Sequence, residues 1–125
     1  MVRYRFALAA AALAAALAWV LPAVAQHAGR TAARVSAVTV TTGKPTEFRF
    51  TLTKKTVPKG TVNFLVLNKG ALPHDFKVFG HKTKLLSPGQ AQTLKITFLK
   101  AGKYPYLCTV TGHAVAGMKG IITVT

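Results

Sequence analysis

The chain is 125 residues long and half hydrophobic, with 17 Lys and Arg against two acidic residues and a net charge of +15. That length allows one compact domain and little else, and a single cysteine excludes an internal disulfide. The lysines are scattered and no nucleic-acid motif accompanies them, so nucleic acid is set aside as a partner.

Arg3 and Arg5 precede an apolar run from Phe6 to Val20, and Ala23-Val24-Ala25 follows as a small-residue cleavage site. This is the layout of a secretory signal peptide spanning residues 1–25. The run is shorter than the roughly 20 residues of a membrane span. Tyr4 separates the two arginines, which points to the general secretory route and not the twin-arginine one. Cleavage after Ala25 would leave 15 basic residues against Glu47 and Asp75, a net charge of +13, in a periplasmic or otherwise exported protein. Such a charge suits acidic partners or an anionic envelope surface, and a merely solvated basic exterior is the plainer reading. Residues 26–35 read as a flexible leader. Cleavage one residue later would make His27 the N-terminal residue, able to chelate a metal through its amine and ring, but the Ala-x-Ala rule places the cut at Ala25.

From 36 to 125 period-two alternation dominates. Val38 and Val40 alternate with Thr39 and Thr41, and Phe48, Phe50 and Leu52 alternate with Arg49 and Thr51. Pro58 and Gly60 mark a turn. Thr61 to Asn68 is nearly continuously apolar or β-branched, which predicts a central strand packed on both faces. His74, Phe76 and Val78 then share an inward face while Asp75 and Lys77 point outward. Gly80 to Gln90 reads as a loop turning at Pro88-Gly89. Leu94, Ile96 and Phe98 form the inward face of a further strand, Tyr104, Tyr106 and Cys108 that of the next, and Ile121 to Val124 closes the domain. About seven short strands predict a single all-β domain, an antiparallel Greek-key sandwich or barrel.

The chemistry concentrates in Cys108-x4-His113-x4-Met118, with His74 upstream. Taken singly, each residue has an ordinary role: a buried thiol, a loop histidine, core filler, a core imidazole. Together, two imidazoles, a thiolate and a weak axial thioether make the trigonal donor set of electron-transfer copper. Gly112 and Gly117 directly precede two of the donors and permit the backbone angles that a tight ligand loop needs. His81 and His27 are assigned to solvent.

Three stretches carry a family resemblance: Gly60-x-Val62-x-Phe64-x-Val66-x-Asn68-x-Gly70, Pro73-His74-Asp75 and Gly102-x-Tyr104-x-Tyr106-x-Cys108. From Gly60 to Thr125 the chain resembles the cupredoxins, the plastocyanin/azurin group of small blue copper proteins. Its loop spacing is similar to the longer loops of rusticyanin and auracyanin. The resemblance implies one type 1 copper ion held by His74, Cys108, His113 and Met118. It also implies that Asp75 pins the ligand loop while its backbone N–H approaches the sulfur; an exposed strand aspartate is the alternative. An aspartate where many relatives carry an amide would bring negative charge to the site. His113 would show an edge in an apolar docking patch formed with Ala71, Leu72, Ala114, Val115 and Ala116.

The function expected from these residues is one-electron shuttling between redox proteins, such as acidic cytochromes or terminal reductases, by a monomer that is not itself an enzyme. Copper trafficking, storage or detoxification through the same donors is the alternative. A copper oxidase or nitrite reductase needs a second copper centre, for which only His27 and His81 remain. A Cys–His hydrolase would leave Met118 without a role.

Overall fold

A computed structural model describes residues 34–125; the export signal expected at 1–25, and His27, lie outside the described residues. Nine strands follow in order: β1 (Val35–Thr42), β2 (Phe50–Leu52), β3 (Thr56–Val57), β4 (Gly60–Asn68), β5 (Lys77–Val78), β6 (His81–Lys82), β7 (Ala91–Phe98), β8 (Gly102–Leu107) and β9 (Lys119–Val124). They form one sheet in the order β2-β1-β4-β7 and another in the order β3-β9-β8-β5-β6. No helix occurs among the described residues.

Alternation decides which side chains enter the core. Val38 and Val40 of β1, Val62, Phe64 and Val66 of β4, and Ile96 and Phe98 of β7 are all buried. The second sheet contributes Val57, Val78, Tyr106, Ile122 and Val124, with Phe76 just ahead of β5. Phe64 meets Phe76 across the layer at 5.5 Å and Phe98 at 6.4 Å. Burying each such ring contributes roughly 1.5–3 kcal/mol.

Several expectations are corrected. The sheets are mixed, since β1 runs parallel to β4 and β3 parallel to β9. After β2 the chain crosses to the second sheet for β3 and returns as β4, which brings β4 beside β1 in the same direction. β4 is central, but only one of its faces is buried; Leu65, on the other, is 41% exposed. Phe48 lies outside β2, because the 43–49 segment arches and is closed by Gly43 N–H donating to Arg49 O at 3.0 Å. The strand expected from His74 shrinks to β5, and His74 instead pairs through its backbone with Leu86. This break in alternation turns Asp75 inward, where it is 3% exposed.

At the end of β4, Asn68 ties these segments together. Its fully buried amide accepts from Thr42 Oγ1 (3.1 Å) and Gly70 N–H (2.9 Å), and donates to Leu72 O and Leu86 O (2.8 Å each). These four bonds use the whole capacity of a carboxamide. They join the end of β1, the turn before His74 and the segment paired with it. Replacing Asn68 by Ala removes four hydrogen bonds at once, leaving Thr42 Oγ1 and Gly70 N–H without this acceptor and Leu72 O without this donor, and should lower the unfolding free energy of the metal-free protein by about 2–4 kcal/mol. Urea titration measures this; a loss under about 1 kcal/mol would show that the amide is not a structural hub.

Candidate metal centre

His74 is held from both sides. Its N–H donates to Leu86 O (3.0 Å), and Leu86 N–H donates to His74 O (2.8 Å). With the backbone so clamped, the wholly buried ring points Nδ1 to within 3.1 Å of His113 Nδ1. Its other nitrogen, Nε2, lies 2.7 Å from Glu47 Oε1.

The remaining candidates come from the loop joining β8 to β9. Cys108 follows β8 directly and is 1% exposed. Its N–H donates to Met118 O (3.1 Å), Met118 N–H to His113 O (3.0 Å), and His113 N–H to Val110 O (3.0 Å). Successive turns therefore bring the three together on one short segment. Gly112 and Gly117 make this path possible, with φ of +83° and +112°, values in the region that disfavours a Cβ. Cys108 Sγ lies 3.6 Å from His113 Nδ1. The donor atoms of His74, Cys108 and His113 all fall within 4.8 Å of one another. Met118 is fully buried, and its main chain is bonded to both loop partners. His81 is exposed and stands apart, as expected.

The electrostatics are compatible with a shared metal ion. Two imidazole nitrogens 3.1 Å apart cannot face each other with bare lone pairs; a proton or a metal must lie between them. Burial holds His113 below the usual imidazole range, and the neighbouring His74 ring adds to that effect. The doubly protonated, cationic form of His113 is thus disfavoured, which leaves a neutral ring able to offer a lone pair to a metal. Burial likewise pushes the Cys108 thiol up, while the backbone N–H groups of Asp75 and Val110, directed at the sulfur, pull it down. A bound metal ion deprotonates such a thiol outright.

Asp75 is buried, not exposed, and is bonded to the ligand loop. One carboxylate oxygen accepts from Thr109 N–H at 2.6 Å and the other from Thr109 Oγ1, fixing the residue after Cys108. Lys82 Nζ lies 3.6 Å from the same carboxylate. Val115, two residues after His113, is 91% exposed, and Leu72, two before His74, is 42% exposed.

Two contributors escaped the sequence reading. Phe48 packs edge-on against His113 at 5.0 Å. Glu47, besides meeting His74, accepts from Leu72 N–H (2.9 Å) and Ala71 N–H (3.0 Å). One signal was available in the sequence: Asp75 sits next to a candidate ligand, and Glu47 is the only other carboxylate in a strongly basic chain.

The family model of the cupredoxin-like domain matches residues 10–124. The chain belongs to the cupredoxin-like family. Auracyanin-B of Chloroflexus aurantiacus is 42% identical to this cupredoxin over 43 residues, which amount to 34% of this chain and only 18% of that protein. Among solved structures, auracyanin from Roseiflexus castenholzii superposes with a TM-score of 0.61 at 21% identity, covering 73% of this chain and 96% of that one. Rusticyanin from Thiobacillus ferrooxidans superposes with a TM-score of 0.61 at 22% identity, covering 73% and 77%. At these identities the two superpositions speak to fold alone. Family members bind one type 1 copper ion, and the converging donors of this cupredoxin fit it: borderline imidazoles and a soft thiolate, with a thioether beside them.

The two backbone N–H bonds from Ala71 and Leu72 are the main reason that Glu47 titrates low, at about 2 instead of 4.5. A depressed carboxyl stabilises the fold above its unfolded value, and that contribution is lost as pH falls through the folded one. Metal-free protein should therefore lose stability as pH drops from about 4.5 toward 2, and Glu47→Gln should flatten that part of the profile. Denaturant midpoints measured across this window check it; an unchanged slope in the variant would contradict the assignment.

Proposed function

We propose that this cupredoxin is an exported one-electron carrier whose copper is held by His74, Cys108, His113 and Met118. The observation that carries this reading is the buried, closed convergence of His74 Nδ1, Cys108 Sγ and His113 Nδ1 within 4.8 Å. Copper, when bound, supplies a reversible Cu(II)/Cu(I) couple. The protein supplies a donor cage that changes little between the two states, because its backbone is already hydrogen-bonded on every side.

Four protein donors leave no open position for a substrate, and the one further histidine among the described residues, His81, is exposed and separate. That supports a carrier and not an enzyme. His113, 9% exposed, is the most exposed of the four donors, Phe48 packs against it, and the exposed Val115 follows two residues later. A partner docking there comes close to the site without crossing the sandwich. With Lys and Arg outnumbering acids by 15 to two once an export signal is removed, an acidic redox protein is the natural counterpart. Attraction of this kind raises the association rate and weakens with added salt.

Copper titration of the chain from Gln26 to Thr125 tests the proposal. The expected result is one copper per chain, an intense thiolate-to-copper band in the visible, its loss in Cys108→Ser, and reversible reduction. A colourless complex that passes copper on to an acceptor would favour trafficking instead. An absence of binding would refute both.

A further inference from the structure

The chain has two carboxylates, and one of them is spent on the far side of a ligand imidazole. We infer that Glu47 is a positioning residue of the metal centre: through His74 it selects the ring nitrogen that faces the metal and biases bound copper toward Cu(II). The redox half of this statement rests on the carrier reading above; the positioning half concerns the protein alone.

The geometry carries the first half. At 2.7 Å, His74 Nε2 and Glu47 Oε1 form a short hydrogen bond in which the ring nitrogen donates, since an ionised carboxylate can only accept. A proton fixed on Nε2 leaves the Nδ1 lone pair free, and Nδ1 is the atom aimed at His113. An imidazole that binds metal through one nitrogen is oriented by what the other donates to.

Glu47 is itself immobilised. Its two oxygens accept from the N–H groups of Leu72 (2.9 Å) and Ala71 (3.0 Å), just ahead of His74. The arch bearing it is closed by the bond from Gly43 to Arg49. Gly70 leaves room for the pair: a Cβ there would lie 2.9 Å from His74 Nε2 and closer still to Glu47 Oε1. A loop that clears this space, and supplies two donors to the same carboxylate, is shaped around the contact.

The second half follows from charge. A full negative charge on the remote nitrogen makes the imidazole a better donor and lowers the energy of the dication more than that of the monocation. A neutral acceptor in the same place would position the ring equally well without that bias. The two roles are therefore separable: Glu47→Gln keeps an acceptor and removes the charge, while Glu47→Ala removes both.

Two measurements decide the matter. Nitrogen-15 NMR of the metal-free wild type should show the His74 proton on Nε2, and Glu47→Ala should show mixed tautomers. Reductive titration of the copper-loaded proteins should show Glu47→Gln favouring Cu(I) by about tenfold relative to wild type, or about 59 mV upward for one electron. A His74 proton on Nδ1 in the wild type overturns the positioning role, and that reading needs neither a variant nor copper. A potential unchanged in a folded Glu47→Gln protein overturns the charge role and leaves Glu47 as a loop clamp. A wild type that takes up no copper sinks the carrier reading and the redox half with it, while the tautomer result still decides the positioning half.

Discussion

The donor cluster rests on one saturated amide. Asn68 spends both of its donors and both of its acceptor positions on β1, on the turn ahead of His74 and on the segment that pairs with it. Burying a carboxamide without partners would cost several kcal/mol; with every valence met, it becomes a rigid joint. His74 is mounted on that joint, whereas Cys108, His113 and Met118 are mounted on the turns of a separate loop. The centre therefore exists as a meeting of two braced frames, tied to each other by the Asp75–Thr109 bonds and held without need of a metal. That arrangement suits a one-electron couple, where any rearrangement between oxidation states slows transfer.

The ligand types were legible because they are scarce. The chain has one cysteine and two methionines, the other being Met1, so an even C-x4-H-x4-M spacing stands out. Face assignments were legible too: Val38 and Val40, Leu94 to Phe98 and Tyr106 to Cys108 obey the alternation a pleated strand imposes. What alternation cannot report is the direction of a neighbour, hence the parallel pairing of β1 with β4. It also fails where a strand breaks. Asp75 follows the isolated bridge at His74, where the pleat is interrupted, and Phe48 sits on an arch closed by a backbone bond. The contact from Glu47 to His74 joins residues 27 apart through a turn chemistry that no local pattern encodes.

Charge is partitioned in an unusual way. Lysines and arginines cover the exterior, while the only two carboxylates in the sequence are Glu47 and Asp75. One holds His74, and the other holds the residue after Cys108. Acidic groups placed for solubility alone would be scattered over the surface. Here the molecule keeps a cationic exterior and places both of its carboxylates beside the donor cluster.

The parallel pairing of β3 with β9 governs when the domain can form. Thr56 and Val57 meet Thr123 and Val124, and Lys59 N–H donates to Thr125 O at 2.8 Å. Those partners are far apart in sequence, so the second sheet gains its edge strand β3 only through a long-range pairing. Contacts of such long sequence separation raise the entropic barrier and slow folding. If the chain is exported unfolded, as the proposed function requires, slow closure of the sandwich would be an advantage, because the donor cage would then form after passage.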